Sequence, residues 1–86
     1  MSYRIKVTKR FEKDFKKFGK KRRSIFMEKI RRIEKEPHHA KRLHGELEGK
    51  YSLRIGDYRI IYKIDDDQKE ITLYTILHRK RAYKKK

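Results

Sequence analysis

The sequence predicts a single α+β domain in which two N-terminal helices pack on one face of a small, mainly antiparallel four-stranded sheet. The chain has 86 residues, which is the size of one domain. Its apolar residues recur with helical spacing in the first half and with strand-like alternation in the second half. Although 47% of the residues are charged, this regular pattern and the scarcity of glycine and proline (four and one) argue against disorder.

The first half of the chain predicts one strand followed by two helices. Residues 3–7 alternate between polar and apolar side chains, which is typical of a strand. A stripe of phenylalanines at helical spacing follows, with Thr8 as a candidate N-cap and Gly19 as a residue that ends the helix. A second stripe predicts a helix that ends before Pro37, because the residue preceding a proline disfavours the α conformation. The stripes are formed by Phe11, Phe15 and Phe18, and by Phe26, Ile30 and Ile33.

The second half predicts three strands. Residues 38–50 are polar and are expected to form a loop or a single turn. Strand-like runs then occupy residues 51–55, 58–64 and 71–78. The element order is therefore β-α-α-β-β-β within one domain spanning residues 1–86, and residues 84–86 are expected to form a mobile basic tail.

The charge of the chain points to polyanionic partners. The sequence carries 28 Lys and Arg against 12 Asp and Glu, a formal net charge of +16. No apolar run approaches the roughly 20 residues of a membrane span, and no secretory leader follows the first methionine. The chain contains no cysteine, so disulfide and thiolate chemistry are excluded. We expect a cytoplasmic protein.

One predicted hairpin places two arginines directly opposite each other. If Gly56 and Asp57 form a two-residue turn, the register pairs Arg54 with Arg59. Like charges in this arrangement destabilise a sheet. An anion between the guanidiniums would explain the pairing, because each guanidinium offers a planar fork to phosphate oxygens. The alternative is a pair of solvated arginines that point apart, and the hairpin alone leaves both interpretations open.

The end of the last predicted strand adds further reactive groups. His78 and Arg79 close this strand, and Tyr83 follows four residues later. If this end lies beside the hairpin, the combined groups suit RNA cleavage: arginine stabilises charge on phosphate, histidine transfers protons and tyrosine stacks on a base. The acidic run at residues 65–67 is predicted to form a turn, so no metal site is expected.

Two segments resemble the RelE/ParE superfamily of toxins from type II toxin–antitoxin systems. Residues 43–62 read LHGELEGKYSLRIGDYRIIY and are similar to the core motif of the family. Residues 76–83 read ILHRKRAY and are similar to its closing motif. The resemblance covers most of the chain and implies the RelE-like fold, in agreement with the element order above.

The resemblance implies one of two activities. The first is that of an mRNA interferase, a ribosome-dependent endoribonuclease that cuts mRNA in the ribosomal A site. In that reaction the RNA 2′-hydroxyl is the nucleophile, and neither a metal nor another cofactor is used. The second is ParE-like poisoning of DNA gyrase without nuclease activity. The implied partners are a RelB-like antitoxin, the ribosome with its rRNA, and mRNA, with no membrane. We favour the interferase, because a pure binding protein has no need to assemble the reactive groups named above.

The family motifs also imply residue roles. Arg59 matches an arginine that stabilises the scissile phosphate, and Arg79 matches a basic residue that assists the transition state or leaving group. Tyr83 matches a tyrosine that stacks on or orients a base. Arg54 takes the place of a lysine, and His78 matches a histidine found in some interferases. His78 is the first choice for the general base, with Arg54 as an electrostatic alternative, since arginine stays protonated.

The sequence departs from the family pattern at two positions and carries a wider set of candidate RNA contacts. Ser52 replaces a basic residue of RelE, and the glutamate of one interferase subgroup would fall near Lys41. Basic residues in the second helix and the tail are predicted to bind RNA phosphates, although the helix charges could also form a solvated face. The full predicted RNA-binding set is Lys20, Lys21, Arg22, Arg23, Lys50, Ser52, Lys80 and Arg81.

Overall fold

The computed structural model describes residues 3–43 and 49–78, which form two helices and a mixed sheet. In chain order the elements are β1 (Arg4–Val7), α1 (Lys9–Lys16), α2 (Lys20–Lys35), a 3-10 helix (Pro37–His39), β2 (Lys41–Arg42), β3 (Lys50–Ile55), β4 (Tyr58–Asp65) and β5 (Glu70–His78). The spatial order of the strands is β1-β5-β4-β3-β2. All neighbours are antiparallel except β1 and β5, which run parallel.

The predicted α+β architecture is confirmed, with five strands in place of the four expected. The additional strand is β2, which pairs with residues 51 and 52 of β3. It lies within the segment that was expected to be a loop or a single turn, because two residues are too few to display alternation. The predicted basic tail at residues 84–86 lies outside the described residues.

The helix boundaries follow from local capping. The Thr8 hydroxyl accepts a hydrogen bond from the Phe11 N–H at 3.0 Å, which makes Thr8 the N-cap of α1. Gly19 is the N-cap of α2, whereas α1 already ends at Lys16 with Lys17 as its C-cap, so the prediction that Gly19 ends the first helix was wrong. Pro37 starts the 3-10 helix directly after α2. In the part of the chain that the structure describes, no helix is long and apolar enough to cross a membrane.

The core lies between the helices and one side of the sheet, which we call the helix face. Tyr62 is fully buried there, and its hydroxyl donates to the Pro37 carbonyl at 2.6 Å. Burial raises the pKa of Tyr62, so this hydroxyl stays protonated. The core cluster consists of Phe11, Phe26, Ile30, Ile33, Ile55, Ile60, Tyr62, Ile71, Leu73 and Ile76.

The first helix is bonded to β5 at a register shift between β4 and β5. Ile61 pairs with Thr75 while Tyr62 pairs with Leu73, so Tyr74 lies between the paired residues of β5. The Asp14 carboxylate of α1 accepts bonds from the Thr75 hydroxyl at 2.7 Å and from the backbone N–H of residue 76 at 3.2 Å. The first helix is thereby anchored to the strand where its ladder is interrupted.

Candidate active site

The hairpin register predicted from the sequence is confirmed. Arg54 pairs with Arg59, and Gly56 takes a φ of +61° in the two-residue turn that sets this register. Directly opposed residues share one face of a sheet, and that face alternates along each strand. Because Ile60 points into the core, the two arginines lie on the opposite side, which we call the distal face.

The two arginines differ in how firmly they are held. Arg59 is half-buried, and its Nη1 donates to the Ser52 hydroxyl at 3.0 Å. Arg54 is exposed, and its Nε donates to the Gly56 carbonyl at a long 3.5 Å. The pair therefore combines one oriented guanidinium with one that can move toward a ligand.

Ser52 has a different place from the one predicted. Its side chain was expected to contact RNA, but it is only 3% exposed, and its hydroxyl faces Arg59. This burial does not fit a direct RNA contact and suits a residue that orients Arg59. The signal was present in the sequence, because Ser52 is two pairs further along the hairpin than Arg59 and therefore lies on the same face.

The structure does not bring His78 to the arginine pair. His78 is opposite Tyr58 in the ladder, whereas Arg59 is opposite Leu77. The His78 ring packs edge-on against Tyr58 at 5.1 Å between ring centroids, and Tyr58 packs against the phenylalanines of the core. His78 is therefore on the helix face, separated from the guanidiniums by the sheet. It lines a groove of about 300 Å³ with Arg10, Lys13, Asp14, Lys17, Ile76 and Leu77.

Four of the predicted site residues lie outside the described residues. These are Arg79, Lys80, Arg81 and Tyr83. Their roles stay predictions from the family motif.

The cations of α2 oppose the electrostatics of their own helix. The first turn contains Lys20, Lys21, Arg22 and Arg23 and no acidic residue. Positive charge near a helix N-terminus is unfavourable, because the helix dipole is already positive there. The Arg22 guanidinium lies 5.1 Å from the centroid of the Tyr58 ring. These cations are on the helix side of the molecule, where Lys21 and Arg22 line a groove together with Gly56 of the hairpin turn.

A second like-charged pair occupies the distal face. Lys50 opposes Lys63, and Lys50 places its ammonium 5.0 Å from the centroid of the Tyr74 ring. At the far edge of the sheet, by contrast, Glu70 neutralises cations: it bonds to Arg4 at 3.0 Å and to Lys6 at 3.4 Å. Among the described residues, the distal face therefore contains cations that form ion pairs, such as Arg4 and Lys6, and cations that do not, such as Lys50 and Lys63.

A hydrogen-bonded network at the opposite end of the hairpin was not expected from the sequence. The Asp66 carboxylate accepts from the Tyr3 hydroxyl at 2.6 Å and lies 3.0 Å from His38 Nε2, while His38 Nδ1 lies 3.1 Å from the Tyr51 hydroxyl. The bond to Tyr3 lowers the pKa of Asp66 and raises the pKa of Tyr3. These residues are 13 to 63 positions apart in the sequence, so no local sequence pattern predicts the network.

The fold and the cationic distal face define a small basic α+β protein of the RelE-like type. A family model described as "ParE toxin of type II toxin-antitoxin system, parDE" matches residues 5–83. The chain therefore belongs to this family of toxins, as the sequence motifs predicted.

Individual relatives agree with the family assignment. Toxin RelE of Mycobacterium tuberculosis is 41% identical over 49 residues, which are 56% of this chain and 50% of that protein. Toxin RelG of the same organism is 38% identical over 45 residues, 52% of each protein. The matches thus span about half the length of these curated relatives.

Solved structures extend the likeness over nearly the whole chain. The toxin–antitoxin complex RelBE2 of M. tuberculosis contains a chain with a TM-score of 0.85 and 28% identity, with 92% of this chain and 100% of that chain covered. A chain of the archaeal RelE–RelB complex of Pyrococcus horikoshii has a TM-score of 0.80 and 30% identity, with 94% of this chain and 99% of that chain covered. Isolated Escherichia coli RelE shares the fold with a TM-score of 0.77 and 20% identity, with 88% of this chain and 83% of that chain covered.

Proposed function

We propose that the chain is the toxin of a type II toxin–antitoxin system and acts as a ribosome-dependent mRNA endoribonuclease. The observation that carries the proposal is the Arg54–Arg59 pair on the distal face, with one guanidinium oriented by buried Ser52. A like-charged cross-strand pair costs stability unless an anion occupies it. A phosphodiester is an anion whose charge grows during cleavage, which suits two guanidiniums on one face.

The proposed reaction needs little covalent chemistry from the protein. The RNA 2′-oxygen forms a bond to phosphorus while the bond from phosphorus to the 5′-oxygen breaks. The 2′-hydroxyl loses a proton and the departing 5′-oxygen gains one. Arg59 would bind the non-bridging oxygens of the scissile phosphate, and Arg54 would add a second fork as charge develops. Arg79 and Tyr83 keep the roles that the family motif implies for them.

The placement of His78 bears on the proton transfers. An effective general base lies within about 3 Å of the proton that it removes, or acts through one water. His78 is on the helix face, and Arg54 and Arg59 are on the distal face. Its assignment as the general base is therefore not part of this proposal, which gives Arg54 and Arg59 electrostatic roles only.

Docking on the ribosome is proposed for the cations of α2. They lie at the end of the helix where positive charge is least favourable, which supports a role for them in binding. Many phosphate contacts of this kind provide affinity that is independent of sequence and depends steeply on salt. The net charge of +16 has the sign required for ribosomal RNA.

A RelB-like antitoxin is the proposed protein partner. The structures described as the RelBE2 complex and the archaeal RelE–RelB complex contain such partners for chains of the same fold. An acidic or amphipathic antitoxin would suit this basic chain, and it would silence the toxin by covering or distorting the cationic face.

Gyrase poisoning is the second candidate function. The observation that favours it is the family model itself, whose description names ParE and the parDE system. A gyrase poison would act as a binding protein, and the arginine pair would then contact an acidic surface or DNA without any change in RNA.

Inducible expression with parallel readouts separates the two candidates. Messenger RNA 5′ ends are mapped while gyrase-linked DNA breaks are measured in the same cells. We expect cuts phased with codons that fall about 100- to 1,000-fold in Arg59→Ala, the loss typical of removing one transition-state donor. Arg4→Ala is the matched control, because Arg4 is an arginine of the same face that Glu70 already neutralises. Growth arrest with intact mRNA and broken DNA would overturn the proposal in favour of gyrase.

A further inference from the structure

The distal face carries two like-charged pairs in line. Arg54 opposes Arg59, and Lys50 opposes Lys63 on the same two strands and the same face. Four residues separate the pairs along β3, which is about 13 Å at strand spacing. The face therefore offers cations at two places along one line.

The lysine pair lacks the compensation seen at the edge of the sheet. Glu70 neutralises Arg4 and Lys6 on the same face. Within residues 3–43 and 49–78, neither Lys50 nor Lys63 forms an ion pair with a carboxylate. The opposition of these two lysines therefore costs the sheet stability.

An aromatic ring accompanies the lysine pair. Tyr74 occupies the register shift of β5, and the Lys50 ammonium lies 5.0 Å from the centroid of its ring. The Tyr74 ring is partly exposed, and a cation over such a ring is held weakly, so Lys50 can turn toward a phosphate and leave the ring available to a base. Thr72, which opposes Lys63, adds a hydroxyl beside the pair.

We propose that Lys50, Lys63 and Tyr74 form a second nucleotide subsite for single-stranded RNA. The two ammoniums would hold a phosphate more than one nucleotide away from the scissile one, and Tyr74 would stack on the adjoining base. Stacking on an aromatic ring next to a cationic track is how proteins bind unpaired strands with little sequence preference. The inference rests on the proposed function, since it assumes that the RNA lies along the distal face.

Binding of a fluorescein-labelled single-stranded oligoadenylate, long enough to span both pairs, tests the subsite by fluorescence anisotropy at several salt concentrations. Tyr74→Leu should weaken binding about 5-fold or more, and Tyr74→Phe should retain it because the stacking surface remains. The double variant Lys50→Gln with Lys63→Gln should reduce the magnitude of the salt slope by about 0.7, as expected when one phosphate is no longer neutralised.

The controls separate loss of the subsite from loss of fold or of function. Lys6→Gln removes a neutralised lysine from the same face and should leave both affinity and slope close to the parent values. Thermal unfolding of each variant verifies that it is folded. The subsite is overturned if Tyr74→Leu binds like Tyr74→Phe, or if the double variant keeps the slope of Lys6→Gln. Expected binding losses in a chain that cuts no mRNA on ribosomes would uphold the subsite and refute the proposed function.

Discussion

The two faces of the sheet use the same strands for different purposes. On the helix face, Ile60 and Tyr62 are fully buried against the helices. On the distal face, the residues immediately next to them, Arg59 and Lys63, oppose residues of their own charge. Side chains that stabilise the core thus alternate along the strand with side chains that can bind an anion, because successive side chains point to opposite sides.

This separation explains why the hairpin can keep unfavourable pairs. The apolar side chains of the helix face determine the register, since a slip of one residue would expose all of them. The cost of an opposed charge pair, about 0.2–1 kcal/mol, is small beside the burial of those side chains. Variants of one face should therefore change mainly stability, and variants of the other mainly activity.

The largest expected effect is on the helix face. Phe26 is 1% exposed and contacts the rings of Phe18 and Tyr58. Phe26→Ala should lower the free energy of unfolding by about 3–5 kcal/mol, because it removes buried surface and leaves a cavity. Urea unfolding followed by circular dichroism measures the change. Met27→Ala is the control, because Met27 is 40% exposed and its replacement should lower the free energy of unfolding far less. Equal losses in the two variants would contradict this account of the core.

A smaller effect is expected from the hydroxyl that orients Arg59. Ser52→Ala should slow mRNA cleavage on ribosomes about 10- to 100-fold, because hydrogen bonds to charged groups contribute about 1.5–3 kcal/mol. The loss should appear in kcat rather than KM, and Ser52→Thr should recover part of it if the pocket admits the extra methyl group. A change confined to the unfolding temperature would show that Ser52 acts on the fold alone.

The smallest effect concerns the network around Asp66. The bond from Tyr3 lowers the pKa of Asp66, so the stability that it provides is present above about pH 4 and is lost as the pH falls toward the folded-state pKa. The same bond raises the pKa of Tyr3, so its contribution is present below about pH 10 and is lost at higher pH.

The comparison of wild type with Asp66→Asn across this pH range measures that contribution. The difference in unfolding free energy should be greatest between the two limits and should shrink beyond either. Asp67→Asn, at the next residue of the same turn, provides the control. A difference that stays constant with pH would exclude a role for the Asp66 charge.

Local patterns predicted much of the fold and the central pair of the site. The apolar stripes gave both helices, and the Gly56–Asp57 turn gave the pairing of Arg54 with Arg59. Both depend on interactions between residues that are near in sequence. The position of β1 beside β5 could not be predicted in this way, because parallel pairing joins strands that are far apart in the chain.

The alternation of side chains along a strand limits where His78 can lie relative to the arginine pair. His78 and Arg79 are adjacent, and adjacent residues of one strand point to opposite faces, so alternation alone argued against placing both beside the arginine pair. Whether His78 shares the face of Arg59 depends on the register of β5. The shift at Tyr74 alters that register, and it is secured by Asp14 of a distant helix.

The most direct test of this division between the faces is a change that should move stability and activity in opposite directions. Arg54→Gln removes the exposed member of the opposed pair and leaves the Arg59–Ser52 bond in place. We expect the free energy of unfolding to rise by about 0.2–1 kcal/mol while codon-phased mRNA cleavage falls about 10-fold or more. A variant that is less stable than the parent, or one that cleaves mRNA as well as the parent, would contradict the account.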